Sequence, residues 1–312
     1  MKYIYKYCPG NLFDIIFSDE GNFSIKFSKL EDFNDPYEYF LTINYDTTAD
    51  KLATYQEMLT MQLTYLASCF SKSPVITPMW AHYADNFKGF VLEIDEENLI
   101  NYLNEQKLSP KISNVEYSNH PSAYLDECLA YATIRCKFRD IYKFQSAILY
   151  HAYFIKQKCW KYEKEKRIIL PERVFNNNNK LLWCPNKFIK SIVVGYKATE
   201  NEKNYLKDLT QKYKINYYEI YPSKISLNPF LVDINSKTHK YTKNGIKPAR
   251  YYCPICNEPI KKNQKLCAWC NVTETDKNEA HYRNSFIALA RAGLLNKYIN
   301  DMNRISEDII KK

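Results

Sequence analysis

Four cysteines near the C terminus constrain the fold of this chain more than any other feature. They form two pairs, Cys253-x2-Cys256 and Cys267-x2-Cys270, separated by ten residues. Two thiolates spaced in this way reach one metal ion from a single turn, and two such turns complete a tetrahedral shell that suits Zn²⁺. The closed shell leaves no open coordination position, so we predict a structural zinc site. The alternative, disulfide pairing, requires an oxidising compartment.

The N-terminal and glycine patterns exclude several protein classes. The start, MKYIYKYCPG, lacks the long apolar segment of a signal peptide, and no run of about 18 apolar residues occurs. We therefore expect a cytoplasmic protein that does not enter a membrane. With only 6 glycines, the 312 residues contain neither G-x-G-x-x-G nor G-x-x-x-x-G-K-[ST]. This excludes the ordinary dinucleotide-binding fold and the P-loop.

Hydrophobic periodicity predicts a mixed α+β main domain over residues 1–225, followed by a basic linker over 226–250. The four-cysteine ribbon is expected over 251–275 and a C-terminal amphipathic helix over 276–312. Within the main domain, alternating and apolar runs predict the strands and 3.6-residue spacing predicts the helices. The strands are expected at 3–7, 23–28, 67–71, 89–95, 166–170, 188–196 and 215–223, and the helices near 121–158 and 200–213.

Positive charge concentrates around the ribbon, in a chain whose net charge is +9. Residues 236–265 contain eight Lys or Arg and one acidic residue, Glu258, with Tyr251, Tyr252 and Trp269 close by. Basic groups with aromatic faces are what single-stranded nucleic acid requires, so nucleic acid is one expected partner. Solvated charges on a ribbon that binds a protein are the alternative.

The C-terminal helix has an apolar stripe with three- and four-residue spacing. The stripe is expected to pack on the protein's own core, or otherwise to contact a partner protein or a second copy of the chain. Its members are Phe286, Ala290, Leu294, Tyr298, Met302, Ile305 and Ile309.

Two blocks of the main domain concentrate polar and aromatic residues: MWAHYADNFKGFVLEID (79–95) and FIKQKCWKYEKEKRIIL (154–170). Together with YKY near the start, FNDPYE (33–38), CFS (69–71) and IKSIVVGY (189–196), they resemble the bacterial family called domain of unknown function 2971. The resemblance spans roughly residues 3–222 and excludes the ribbon and the final helix. The family name implies no activity.

A second resemblance is to ADP-ribosyltransferases, split-sheet α+β enzymes that bind NAD without a dinucleotide fingerprint. Their pattern is a polar or aromatic residue on the first strand, a Ser/Tyr element in the middle and a late glutamate, often as E-x-E. In those enzymes the carboxylate holds the ribose and stabilises an oxocarbenium-like centre, while aromatic rings enclose nicotinamide. This chain departs from the common versions, since no His or Arg stands on the first strand and no Ser-Thr-Ser follows the second.

Carried over position by position, this resemblance implies a candidate site. Glu165, Glu163 and Tyr83 are the implied catalytic residues, with Glu165 as the principal carboxylate. The implied cofactor-binding residues, for NAD, are Tyr5, Lys6, Tyr7, Ser71, Trp80, His82 and Arg167. At strand spacing Glu163, Glu165 and Arg167 share one face, so Arg167 is expected to orient the carboxylates or to bind pyrophosphate.

Each of these residues also has a structural interpretation. The run from Glu163 to Arg167 is typical of solvated residues at a strand edge. Trp80 and Trp160 are typical core residues, His82 is typical of a hydrogen-bonded core histidine, and Cys69 of a small buried hydrophobe.

The sequence thus supports two function hypotheses. The first is an NAD-dependent ADP-ribosyltransferase-like effector, of the kind found among toxins and anti-phage factors, whose zinc ribbon binds a target or partner. The alternative is a non-enzymatic zinc-ribbon protein that binds nucleic acid or protein.

Overall fold

The computed structural model describes residues 2–38, 41–60, 64–175 and 180–310. The chain divides into two compact units, Met1–Pro248 and Ala249–Lys312. The first unit combines a large mixed sheet with helices, which confirms the predicted α+β class. No helix in the described ranges is long and apolar enough to cross a membrane.

A ten-stranded sheet forms the frame of the first unit, in the order β14-β13-β12-β11-β10-β4-β1-β3-β8-β5. Its neighbouring strands are antiparallel except for the parallel pair β10 and β11. Two small sheets pair β2 with β9 and β6 with β7. The strands are β1 (Tyr3–Cys8), β2 (Asn22–Lys26), β3 (Tyr65–Ser71), β4 (Phe90–Asp95), β5 (Lys111–Asn114), β6 (Glu116–Ser118), β7 (Ile155–Gln157), β8 (Glu165–Pro171), β9 (Leu181–Pro185), β10 (Ile189–Gly195), β11 (Asn216–Tyr221), β12 (Phe230–Asp233), β13 (Thr238–Thr242) and β14 (Gly245–Pro248).

Several helices begin where the sequence offers a capping side chain. Ser122 accepts a hydrogen bond from the Leu125 amide, and Thr199 forms a reciprocal capping box with Glu202. The helices are α1 (Phe13–Ile16), α2 (Ala49–Thr60), α3 (Thr77–Tyr83), α4 (Glu96–Glu105), α5 (Ala123–Arg135), α6 (Phe138–Phe154), α7 (Glu200–Tyr213), α8 (Glu274–Arg283), α9 (Ser285–Arg291) and α10 (Leu295–Ile310).

The sheet splits between β1 and β3. Their register contains a single pair, Tyr5 opposite Ser71, whereas β3 pairs with β8 along its whole length. Beyond that pair the strands diverge, and the Lys6 ammonium group bridges them by donating to Ser68 Oγ (2.9 Å) and the Cys69 carbonyl (3.0 Å). The split leaves a gap in the sheet next to Tyr5 and Ser71.

The block MWAHYADNFKGF forms α3 and a tight loop that returns to β4. Three consecutive loop residues, Asp85 to Phe87, have positive φ angles of 47°, 52° and 69°. Gly89 follows, and a Cβ atom there would lie 2.1 Å from the Cys8 carbonyl oxygen, so only glycine fits this approach. The loop fixes α3, and with it Tyr83, beside β1.

The predicted linker over 226–250 is wrong, because this stretch supplies β12, β13 and β14 of the large sheet. Leu231 is fully buried, and Tyr241 and Ile246 pack on the same apolar cluster. The lysines alternate with these residues and point outward: Lys240 lies directly opposite Lys247, and both are exposed. Because alternate residues of a strand point to opposite faces, three short strands with only one buried face have the polar composition of a linker.

The single C-terminal helix predicted over 276–312 is also wrong in detail. Three helices, α8 to α10, occupy the described part, with breaks at Asn284 and at Gly293, whose φ is 71°. Residues 311–312 lie outside the described residues. The large side chains of the apolar stripe are 41–69% exposed, and the expectation that they contact a partner or a second copy stays a prediction.

Candidate active site

A pocket of about 230 Å³ lies at the split of the sheet. Its walls come from β1, β3, α3, the segment 32–34 and the turn before β8. Aromatic and apolar side chains surround a polar group that contains both carboxylates of the E-x-E motif. The lining residues are Tyr5, Lys6, Tyr7, Asp32, Phe33, Asn34, Cys69, Phe70, Ser71, Met79, Tyr83, Lys156, Glu163 and Glu165.

One row of side chains crosses three neighbouring strands at this pocket. Tyr5 lies opposite Ser71, and Ser71 lies opposite Glu165. Residues opposite one another in antiparallel strands share a face, so all three point to the same side of the sheet. The row extends to Glu93, which accepts from Tyr5 Oη (2.8 Å) and from Ser191 Oγ (2.6 Å). The Tyr5 ring is therefore held from behind.

Lys156 joins the two carboxylates. Its ammonium nitrogen lies 2.9 Å from Glu163 Oε2 and 3.5 Å from Glu165 Oε2. The Tyr83 hydroxyl donates to Glu163 Oε1 at 2.6 Å. The backbone of Glu163 is fixed as well, since Ser71 Oγ donates to its carbonyl at 2.7 Å. The Tyr83 hydroxyl thus orients Glu163, and the Lys156 ammonium group holds Glu163 and Glu165 together at the pocket wall.

Arg167 is fully buried behind Glu165, and all five of its N–H donors have partners. Nε donates to Glu165 (2.7 Å), and the two terminal nitrogens donate to Glu38, Glu165 and the Tyr153 carbonyl at 2.6–3.3 Å. The guanidinium group has no donor left for a ligand. Arg167 orients Glu165, and the prediction that it binds pyrophosphate is wrong.

Four of the five residues in the charge run from Glu163 to Arg167 are buried, and Lys164 alone is exposed. Glu163, Glu165, Lys166 and Arg167 are all buried, so the interpretation as a strand-edge charge cluster is wrong. The expected strand geometry holds for Glu165 and Arg167, both in β8. Glu163 instead ends a 3₁₀ turn, and Lys164 connects it to β8 in the left-handed conformation.

The two carboxyl groups differ in their electrostatic environments. Burial acts to raise the pKa of Glu165, but the nearby Arg167 and Lys156 outweigh it and lower this pKa to about 2. For Glu163, burial is the dominant effect, and its pKa is raised despite Lys156. Burial also raises the pKa of the Tyr83 hydroxyl, as does the negative charge of Glu163. Glu165 is thus the permanent anion, and Glu163 is the carboxyl group better able to hold a proton.

Besides Arg167, two predicted cofactor-binding residues lie outside the pocket lining. Trp80 is fully buried, donates its indole N–H to the Pro74 carbonyl (2.8 Å) and stacks on Phe87 with ring centres 5.3 Å apart. It is a core residue. His82 is exposed, with the rings of Tyr83 and Tyr162 about 6 Å away. The core interpretation therefore holds for Trp80 and is wrong for His82.

Sequence reasoning missed several residues of the site. Lys156 and Glu38 complete the buried charge network, and Phe33 and Cys69 line the pocket. Their signal was present, since 33–38, 69–71 and 154–170 are three of the motif blocks. Lys156 lies in β7, and the 3₁₀ turn Lys158–Glu163, which periodicity does not predict, brings it to Glu163.

The four-cysteine cluster lies in the second unit. All four sulfur atoms lie within 4.8 Å of one another, with Cys256 Sγ 3.6 Å from Cys267 Sγ and 3.4 Å from Cys270 Sγ. These distances are far too long for disulfide bonds. They approach the edge of about 3.8 Å expected for a tetrahedron of sulfurs 2.3 Å from a metal. The cluster therefore fits a tetrahedral four-thiolate metal site.

The cysteine turns explain how the sulfurs converge. In each pair the amide after the second cysteine donates to the carbonyl of the first, Asn257 to Cys253 (2.9 Å) and Asn271 to Cys267 (3.0 Å). Asn257 has a φ of 59°, which asparagine tolerates better than most residues. An asparagine after each pair therefore suits these tight turns.

A family model described as protein of unknown function (DUF2971) matches residues 79–168. The match covers most of α3, its loop and the segment that carries Lys156, Glu163 and Glu165. No curated protein and no solved structure matches the chain significantly.

Proposed function

We propose that the pocket binds the nicotinamide–ribose part of NAD and that the protein cleaves the bond between them, as ADP-ribosyltransferases do. The observation that carries this proposal is the row Tyr5, Ser71 and Glu165. It brings the three elements of the resemblance, an aromatic on the first strand, a middle serine and a late glutamate, to one pocket. They come from three separate parts of the chain, and a packing role alone does not require them to meet.

The charge balance of the pocket supports this chemistry. When the nicotinamide–ribose bond breaks, its electron pair leaves with nicotinamide and positive charge develops on the ribose. Three buried carboxylates (Glu38, Glu163, Glu165) and two buried cations (Lys156, Arg167) leave one excess negative charge when all are ionised. In a low-dielectric pocket this fixed charge stabilises the developing cation.

Glu165 and Glu163 have different roles in this proposal. Glu165, whose pKa is lowered to about 2, stays ionised and stabilises the ribose cation. Glu163, with its raised pKa, takes the proton released by the attacking water or acceptor hydroxyl. Tyr83 and Lys156 hold Glu163 in position through hydrogen bonds of 2.6 and 2.9 Å.

Pocket size limits which part of NAD is enclosed. A volume of about 230 Å³ is below the range of about 300–1,000 Å³ usual for sites that enclose a drug-sized ligand. The pocket therefore accepts the nicotinamide ring and its sugar, while the rest of the dinucleotide lies outside. Tyr5, Tyr83 and Phe33 supply the aromatic surface for the ring.

The test is release of nicotinamide from NAD, followed by chromatography with purified protein. Glu165→Gln keeps the shape of the side chain and removes its charge, and a fall in rate of about 100-fold or more is expected, as for other electrostatic groups at a reacting centre. Glu97→Gln, the same change on the exposed face of α4, is the matched control. Equal rates of nicotinamide release for wild type and Glu165→Gln would overturn the proposal. So would the absence of release by both proteins, whether or not protein and nucleic-acid acceptors are added.

For the second unit we propose that the metal is Zn²⁺ with a structural role, because four thiolates suit this ion and leave no open position. A second candidate function, non-enzymatic binding through the ribbon, is favoured by its surface. Trp269 is 68% exposed, and Lys261, Lys262 and Lys265 of the same ribbon are exposed as well. Affinity for a nucleic acid that falls steeply with salt would support this function. The role as a toxin or anti-phage effector stays a prediction.

A further inference from the structure

The helical hairpin of α5 and α6 has two unlike faces. Its inner face is an ordinary core, where Leu125, Leu129, Phe144 and Ile148 are buried against one another and against α2. The outer face is where polar residues are expected. It carries exposed aromatic rings instead, among them Tyr142, which is 63% exposed.

This outer face contains an open groove of about 520 Å³. Three tyrosines and three basic residues line it, and Ser146 and Ala147 are its small residues. The aromatic and basic members are Tyr124, Arg139, Tyr142, Lys143, Tyr150 and His151. From Arg139 to Tyr150 the lining residues, with Ser146 and Ala147 included, recur along α6 at helical spacing on one face, over a length of about 16 Å.

The two strongest cations of the groove lack close acidic partners. Among the described residues no carboxylate lies within ion-pair distance of Lys143, whose ammonium group instead sits 5.3 Å from the centre of the Tyr124 ring. Arg139 makes only a long contact, 3.8 Å, with the nearly buried Asp140, and its side chain is 83% exposed. Both cations are therefore available to an anion from solvent.

We propose that this groove binds single-stranded nucleic acid. Tyrosine rings at its rim offer flat faces on which unpaired bases stack, and the cations beside them can neutralise the phosphates of the strand. Duplexes do not present their base faces, so they are not the expected ligand. The proposal is independent of NAD chemistry and of the ribbon, since every residue it uses lies on α5 or α6.

The test measures fluorescence anisotropy of labelled 12-nucleotide DNA and RNA strands of mixed sequence, with matched duplexes, against the full chain at several salt concentrations. The wild type should bind one or both strands more tightly than the duplexes. Tyr142→Ala should weaken binding at least about five-fold through lost stacking, and Tyr142→Phe should restore it. Arg139→Gln/Lys143→Gln should flatten the slope of log affinity against log salt by about 1.4, the value for two phosphate contacts with a single strand.

The control double variant, Lys26→Gln/Lys190→Gln, removes the same charge at two other exposed lysines and should leave the slope nearly unchanged. A Lys261→Gln/Lys262→Gln/Lys265→Gln variant measures how much the ribbon contributes to nucleic-acid affinity. Groove variants that bind like the wild type, duplexes that bind as tightly as strands, or no binding at all would overturn the proposal. Self-association that Tyr142→Ala abolishes, without nucleic-acid binding, would instead make the groove a protein contact.

Discussion

Arg167 is a single residue that shows how a folded protein tolerates a buried charge. A fully buried guanidinium group is stable only if its donors are satisfied, and here Glu38, Glu165 and the Tyr153 carbonyl satisfy all five. Glu38 comes from the FNDPYE segment and Tyr153 from the end of α6. One side chain therefore ties three distant parts of the chain together behind the pocket.

Arg167→Met should lower the free energy of unfolding by about 3–5 kcal/mol, because it leaves Glu38 and Glu165 buried without their main partner. Urea denaturation measures this. Arg173→Met, at an exposed position two residues after β8, is the control and should change stability by less than about 0.5 kcal/mol. A loss below about 1 kcal/mol for Arg167→Met would mean that the network is not as closed as the geometry indicates.

Glu165 predicts a specific acid dependence of stability. Burial alone would raise its pKa, but Arg167 and Lys156 lower it to about 2, below the ordinary value of 4.5. The ionised group therefore stabilises the fold above about pH 4.5, and this stabilisation, about 3 kcal/mol, is lost as the pH falls towards 2. Burial raises the pKa values of Glu38 and Glu163, so their effect on stability is opposite to that of Glu165. Their ionisation in the folded protein costs stability as the pH rises above 4.5.

Denaturation curves between pH 4.5 and 2 should show the stability of Glu165→Gln falling less steeply with acid than that of the wild type. Parallel curves would show that Glu165 titrates normally.

Among the secondary-structure elements, the turn between Glu163 and Glu165 determines the directions of the two carboxylates. Lys164 stands there with φ 48° and ψ 47°, the left-handed conformation, and is exposed. This turn ends the 3₁₀ segment and starts β8, so that Glu163 faces Tyr83 while Glu165 joins the row of Ser71. The side chain of Lys164 is not needed for this, but its backbone conformation is.

Lys164→Ile should lower the free energy of unfolding by about 1–2 kcal/mol, because β-branched residues are rarely found in this conformation, and should also reduce activity. Lys164→Asn should leave stability unchanged or slightly raised. Lys161→Ile, in the same turn at negative φ, controls for the added apolar surface. Thermal unfolding compares the three, and equal melting temperatures for the Ile and Asn variants would contradict this account of the turn.

Elements with strong periodicity could be predicted from the sequence, and those formed by short segments could not. The runs at 89–95 and 188–196 became β4 and β10, since short apolar runs with several β-branched residues favour buried strands. β12 to β14 were missed because each is at most five residues long, and exposed Lys240 and Lys247 make β13 and β14 look polar. The site divides in the same way: the E-x-E motif was found, whereas Lys156 and Glu38 join it only through tertiary contacts.

In the molecule as a whole, the two units are stabilised by different interactions. The first unit has extended apolar clusters on both faces of its large sheet. In the described part of the second, the buried residues are confined to the cysteine turns, and α8 to α10 bury none of their described side chains. Hydrophobic burial cannot hold such a unit together, so we expect metal binding at the four cysteines to supply its folding free energy.

Metal removal should therefore affect the second unit selectively. We expect about one zinc per chain by elemental analysis, and chelation should expose residues 249–312 to trypsin while the unfolding transition of the first unit persists. Cys253→Ser should reproduce the effect, whereas Cys159→Ser, at an exposed cysteine elsewhere, should not. Protein that lacks bound metal but resists trypsin would contradict a structural metal site.

The proposed function requires that the split of the sheet bind NAD with Glu163 and Glu165 beside the ribose. A crystal structure with carba-NAD, an analogue that cannot be cleaved at the nicotinamide–ribose bond, tests it most directly. We predict density for the nicotinamide ring against Tyr5 and Tyr83, with the sugar hydroxyls within hydrogen-bond distance of the two carboxylates. An empty pocket at saturating analogue, or density at another place on the molecule, would contradict the account.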